Sequence, residues 1–210
     1  MQTGATRERE GDARLRAALA AIDAFNAGDP KRVVADGRDV AESVRYGERM
    51  TAWIERLDPA ASEALRLAAR AQHIGRWTIP RKEYPEGVAG YSRWRRDLAR
   101  FHAETAGTIL ADAGYDAATI ARVGALIRKE GLGRDPETQA LEDAACLVFL
   151  ETGFDDFSRR HSDDKVVDIV RKTWRKMGPK GRALALELVG SLAPDRAALV
   201  ARAVAEEERA

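Results

Sequence analysis

The chain has 210 residues, a formal net charge of +1, 33% charged residues and 45% apolar residues. That balance suits a folded helical protein, excludes a disordered chain and leaves no global charge excess to mark a nucleic-acid or membrane-surface protein. No apolar stretch approaches the roughly 20 residues of a membrane span. The single cysteine, Cys146, lies in the apolar run 144–150 and cannot form an internal disulfide. It reads as a small core residue in a reducing, cytoplasmic protein. Residues 1–12 are polar and lack the apolar centre of a secretory signal. They are expected to be a disordered lead-in to a single helical domain over 13–210.

The elements follow in chain order. Leu15, Ala18, Leu19, Ile22 and Phe25 keep helical spacing until Gly28 and Pro30 stop the first helix. A polar loop through Gly37 follows. Val40, Val44, Met50, Trp53, Ile54 and Leu57 line a second helix. Asp58-Pro59 has the form of a helix start, and the helix it opens runs to about His73, where Gly75 can close it. Residues 77–90 hold Pro80, Pro85, Gly87 and Gly90, an irregular excursion of the kind that often serves a site. Residues 91–114 read as a long helix ended by Gly114. Asp116 caps the next, and Gly131 and Gly133 end it. Asp135-Pro136 opens the most apolar helix, to about Glu151. Further helices run from Asp163 or Asp164 to Met177, from Gly178-Pro179 to Leu192, and from Pro194 onward. No period-two run or hairpin signal stands out. The expectation is an all-α, single-domain helical bundle.

Polar residues on apolar faces mark a candidate site. His102 has Leu98, Ala99, Thr105 and Ala106 at helical spacing, so it points into the fold. His73 ends the segment 67–73, whereas His161 sits among charges and reads as solvated. Glu142 and Asp143 lie in the most apolar helix, and two adjacent buried carboxylates need a cationic partner. His73, His102 and Asp143, on three helices, are the raw material of a divalent-metal site. They are equally the raw material of a polar core network.

Basic residues are also unevenly placed. From Arg76 to Arg100 they outnumber acids seven to three, and from Lys165 to Arg182 seven to one. Trp77, Trp94 and Trp174 fall in these segments. Arginine and lysine supply phosphate contacts, and an indole face takes a base or a guanidinium. The same pattern also fits tryptophans that anchor helix contacts beneath long basic side chains. The Gly178-Pro179-Lys180-Gly181 run lacks the spacing of a P-loop.

An ordered set of words runs through the chain. It begins with Tyr46-Gly47-Glu48-Arg49-Met50, the run 69–74, Arg76-Trp77, Ile79-Pro80-Arg81, Tyr84-Pro85 and Trp94-Arg95. It continues with Phe101-His102-Ala103, Leu141-Glu142-Asp143, the run 146–151 and Lys172-Thr173-Trp174. Over about 21–188 the chain resembles an uncharacterised family, domain-of-unknown-function family 4202, some members of which carry the label glutamyl-tRNA synthetase. Neither a nucleotide-binding Rossmann pattern nor the synthetase motifs occur here. A more distant resemblance is to the HD superfamily of metal-dependent phosphohydrolases. Gln72-His73-Ile74-Gly75-Arg76 stands where that superfamily has His-Asp-Ile-Gly-Arg, Tyr46 where it has its first His, His102 at its later His and Asp143 at its final Asp. The resemblance implies an HD-like helical architecture. It implies either a remodelled metal site of His73, His102 and Asp143 or a metal-free relative.

Two functions fit. The first is a metal-dependent phosphohydrolase acting on a nucleotide or another small phosphorylated metabolite. Zinc, manganese or iron on His73, His102 and Asp143 would activate water. Glu142 or Glu48 would accept a proton or orient a ligand. Arg76, Arg81, Arg95 and Lys176 would hold phosphate, and Trp77 or Trp94 would pack on a ring. The second is a non-catalytic binding or regulatory module using the same pocket for a nucleotide or RNA. RNA binding would show a strong salt dependence.

Overall fold

A computed structural model describes the backbone of residues 2–209 and the side chains of residues 10–209. Over the expected lead-in 1–12 the backbone is helical from Gln2. Helix dominates, as expected, and no helix among the described residues is long and apolar enough to cross a membrane. The chain gathers into two compact units, Met1–Ala52 with Ala60–Glu130, and Trp53–Pro59 with Gly131–Ala210.

In the first unit α1 (Gln2–Asn26) stops where Gly28 and Pro30 predict. The expected polar loop is instead a hairpin. Strand β1 (Arg32–Ala35) runs antiparallel to β2 (Arg38–Ala41), with Val33 opposite Val40. Its two-residue turn is Asp36-Gly37, at φ of 51° and 73°. Positive φ at both positions matches the right-handed twist of the strands and favours Asp-Gly. Asp29 fixes the hairpin to α2 (Glu42–Leu57), accepting from Lys31 N at 2.9 Å and from Ser43 N at 3.2 Å.

Asp58-Pro59 does not open a helix. Proline disfavours helical backbone at the residue before it, so the pair ends α2. Helix α3 (Glu63–Ala71) starts at Ser62, whose Oγ accepts from Leu65 N at 3.1 Å. Two short 3₁₀ turns, Arg76–Thr78 and Arg81–Glu83, lead into α4 (Gly87–Asp112). Asp116 caps α5 (Ala117–Ile127), accepting from Thr119 N at 2.8 Å. Helix α3 packs on α1, α4 and α5. Ile22, Met50, Leu65, Leu67, Leu110 and Leu126 are fully buried there. A Cβ on Gly47 of α2 would meet Arg70 O of α3 at 2.9 Å.

In the second unit Asp135 caps α6 (Pro136–Val148), with Pro136 at its first position as expected. A single π-helical turn, Phe149–Gly153, joins it to α7 (Phe154–Arg160). Then come α8 (Asp163–Lys176), α9 (Pro179–Val189) and α10 (Pro194–Glu208). Phe154, Val166, Val167, Val170, Val200 and Ala203 form the apolar cluster of this unit.

Candidate functional site

Gly75 shapes the site in the first unit. It follows the last turn of α3 at φ 64°, in the left-handed region, and its N–H donates to Asn26 Oδ1 at 3.2 Å. A Cβ there would lie 2.8 Å from the Phe101 ring, so only glycine fits without strain. This turn leaves the carbonyl of Ile74 facing α4, where it meets His102. The His102 Nδ1 lies 2.6 Å from Ile74 O. A carbonyl only accepts, so Nδ1 carries the proton and Nε2 presents a bare lone pair. That Nε2 is buried and has no protein partner.

His73 stacks on Tyr46, with ring centroids 4.1 Å apart and planes 16° from parallel, and its ring lies 5.9 Å from that of His102. Burial, reinforced by the Arg76 charge, holds His73 well below the usual histidine range. Burial also lowers His102, to about 4, against the opposing hydrogen bond to Ile74. Both imidazoles are therefore neutral at pH 7.

The two histidines and Gln72 line a cavity of about 270 Å³. Gln72 is buried, and its Oε1 has no protein partner either. Leu98, Ala99 and Ile127 give the apolar wall. Arg76, Arg95, Arg96, Arg128 and Lys129 supply the charge, and no Asp or Glu among the described residues lines the cavity. Arg128 pairs with Glu130 at 2.7 Å. Arg76 lies over the ring of Trp94, 4.7 Å from its centroid, and Arg95 reaches Tyr91 Oη at 3.4 Å. The one carboxylate beside them in sequence, Asp97, faces Arg93 at 3.9 Å and Arg100 at 3.8 Å. Among the described residues, none of Arg76, Arg95 and Arg96 has a carboxylate within ion-pair distance. Burial lowers the Arg76 guanidinium from its usual range.

Of the residues expected from the sequence, the cavity thus brings together His73, His102, Arg76 and Arg95. Trp94 is buried behind Arg76, its Nε1 donating to Ile79 O at 2.9 Å. Trp77 packs towards Phe25, ring centroids 6.1 Å apart. Arg81 donates to Tyr84 O and Pro85 O, both at 2.8 Å, and so closes the irregular excursion on itself. Glu48 pairs with Arg45 at 3.2 Å. None of these four lines the cavity. The sequence reading did not single out Arg128 and Lys129. Their signal was a basic pair leaving the last turn of α5, with Lys129 at φ 58°.

Asp143, Glu142 and Lys176 belong to the second unit. Asp143 Oδ1 accepts from Gln139 Nε2 at 2.8 Å and from Gly178 N at 2.9 Å. Its carboxylate thus serves the first turn of α9, whose own N-cap position, Gly178, has no side chain to offer. Burial raises the Asp143 carboxyl above its usual range, against these hydrogen bonds. Glu142 is buried, with Lys176 Nζ at 4.0 Å. Among the described residues no group of three or more His, Cys, Asp or Glu side chains is gathered as a cation site.

Three cations of the second basic segment pair with acids of their own unit. Arg175 pairs with Glu207 at 2.6 Å, Arg171 with Glu206 at 3.4 Å and Lys172 with Asp168 at 2.8 Å. Arg182 covers the Trp174 ring.

Comparison with curated proteins and with solved structures finds no match. The family model described as Domain of unknown function (DUF4202) matches residues 16–200, and the chain belongs to that family.

Proposed function

We propose that the cavity of the first unit binds a small phosphorylated metabolite. One observation carries this reading. Arg76, Arg95 and Arg96, none with a carboxylate partner among the described residues, converge on a cavity that no acid lines. Concentrated positive charge in a concave, partly desolvated site raises the local concentration of anions, and guanidinium forks match phosphate oxygens. The neutral histidines add no charge and leave the arginines to set the field.

Metal-dependent hydrolysis, implied by the HD resemblance, asks more of the cavity. A catalytic zinc takes three protein ligands. Among the described residues the lining offers two imidazoles and no carboxylate. The donor set falls short, so the geometry favours binding over metal-assisted turnover. RNA binding has less support, because Arg171, Lys172 and Arg175 of the Lys165–Arg182 segment are paired with acids of α8 and α10.

Calorimetric titration of the full chain with inorganic phosphate and pyrophosphate tests the reading. Binding should weaken as salt rises. It should fall at least about tenfold in Arg95→Ala/Arg96→Ala, since a hydrogen bond to a charged group contributes about 1.5–3 kcal/mol. Wild-type protein that binds neither anion overturns it. Phosphate release from an ester on adding zinc, manganese or iron would restore the hydrolase reading.

A further inference from the structure

We infer that the anion this cavity recognises is a diphosphate, either pyrophosphate or the diphosphate end of an organic ester, and not a single phosphate. The inference rests on the phosphate-binding reading and concerns how much negative charge the ligand brings. Arg76 follows α3, Arg95 and Arg96 lie on α4, and Arg128 and Lys129 leave α5. Arg128 is paired with Glu130. Arg76, Arg95 and Arg96 have no carboxylate within ion-pair distance among the described residues, which leaves three guanidinium charges to offset. A phosphate monoester carries about −1.5 to −2 at pH 7. A diphosphate ester adds a fully ionised inner phosphate, for about −2.5 to −3. The second matches three guanidinium groups, and its two tetrahedra present oxygens to cations on more than one element.

Lys129 supplies a second observation. It follows the C-cap of α5 at φ 58°. Its N–H donates to Leu126 O at 2.9 Å, and Glu130 N donates to Ala125 O at 3.0 Å. These are the paired bonds of a helix ending whose left-handed residue is usually glycine. A lysine there is strained, and such strain gathers at ligand sites. Asp36 also has positive φ, but the hairpin turn accounts for it. The turn after α5 sets the Lys129 ammonium in the cavity wall, beyond the cations that one phosphate would fill. The rest of the lining offers an organic body little to hold. Gln72 Oε1 and His102 Nε2 are sealed within the wall, Leu98 and Ile127 are 2% and 1% exposed, and no Phe, Tyr or Trp lines the cavity. Recognition therefore lies in the phosphates.

The test is calorimetry on the full chain at fixed ionic strength without divalent cations. The probes are inorganic phosphate, pyrophosphate, tripolyphosphate, adenosine monophosphate and adenosine diphosphate. Pyrophosphate should bind at least about tenfold more tightly than inorganic phosphate, the gain from one further charged contact. Adenosine diphosphate within about threefold of pyrophosphate shows that a diphosphate end suffices, and a loss of about tenfold narrows the ligand to pyrophosphate itself. Tripolyphosphate should gain less than about threefold over pyrophosphate, because the free arginines are already matched. A steady gain with each added phosphate marks an unselective basic surface and overturns the inference. Arg96→Gln, at an exposed position of α4, should weaken pyrophosphate about tenfold. Inorganic phosphate should lose less, since Arg76 and Arg95 remain. Lys129→Gly relieves the left-handed strain, so it should melt no lower than wild type yet weaken pyrophosphate more than inorganic phosphate. Either variant binding pyrophosphate as wild type does overturns the inference. Equal affinity for phosphate and pyrophosphate also overturns it and leaves the phosphate reading standing. Failure of every anion to bind removes both readings.

Discussion

The carboxylate of Asp143 occupies the space that a side chain at residue 181 would need: a Cβ on Gly181 would lie 2.5 Å from Asp143 Cγ. Helix α9 therefore begins against a buried acid from α6, and the two residues specify each other. Gly181→Ala should destabilise the protein by about 1–3 kcal/mol, the range for overpacking a filled site. Asp143→Ala should lose about 0.5–2 kcal/mol, as for removal of a helix cap. The double variant should lose less than the sum, because truncating Asp143 frees the space that the new methyl needs. Urea unfolding of the three variants measures this. Additive losses would mean that the close approach carries no energy.

The two cavity histidines set a pH dependence. His102 ionises near 4 in the fold, below its ordinary value, mainly because burial penalises the charged form. Between about pH 6.5 and 4 the unfolded chain thus binds more protons at this group than the folded chain does. Stability should fall as pH drops through that window, by an upper limit of about 3 kcal/mol from this residue. His73 acts in the same direction. Asp143 acts oppositely, since its raised value favours the protonated fold. Thermal melts of wild type and His102→Gln from pH 7.5 to 4.5 should show a shallower decline in the variant. Parallel curves would place the acid sensitivity elsewhere.

Gly75 is expected to be intolerant of substitution. Alanine there combines a left-handed backbone with a contact 2.8 Å from the Phe101 ring. A loss of about 1–3 kcal/mol follows from backbone strain alone. Because Gly75 is the N-cap of the turn that carries Arg76, Gly75→Ala should also weaken phosphate binding, unlike a remote variant of equal melting temperature. Gly37→Ala, with nothing within 4 Å of its Cβ, is a suitable comparison for left-handed strain without crowding.

The acids of α10 mask the basic face of α8. Glu207 holds Arg175 at 2.6 Å and Arg171 at 3.4 Å. These pairs are only partly buried, and near the surface such contacts contribute little to stability, about 0–1 kcal/mol. Glu206→Gln/Glu207→Gln should therefore melt near wild type yet gain salt-sensitive retention on a polyanion column. Unchanged retention would show that Glu206 and Glu207 do not mask these arginines.

Much of the helical frame was legible because its punctuation is local. Asp116 and Asp135-Pro136 cap as read, and Gly28 and Pro194 bound the helices expected of them. The errors came where local signals compete. Asp58-Pro59 carries both a start and a stop meaning, and the stop prevailed because Ser62 supplies the better cap for α3. The hairpin was missed because its strands are short and Arg32, Arg38 and Asp39 interrupt the apolar alternation. The Asp36-Gly37 pair was the overlooked signal.

The site was legible in part. The apolar face around His102 and the Gly75-Arg76 turn pointed to residues that do share a cavity. Asp143 also sits on an apolar face, but the cause there is a helix end to be capped, 35 residues along the chain. Likewise the charge count over 165–182 could not include Glu206 and Glu207, which follow in a later helix. A window of sequence sees a side chain's own helix, whereas compensation comes from the neighbouring one.

The Arg76–Trp94 stack has an optical consequence. An indole with a guanidinium 4.7 Å from its centroid, inside the buried wall of the unit, is sensitive to that cation's position. A ligand that draws Arg76 towards an anion would alter the charge over the ring and with it the indole's emission. The protein thereby carries an intrinsic fluorophore coupled to occupancy of its cavity, and a Trp94→Phe variant isolates its signal from those of Trp53, Trp77 and Trp174.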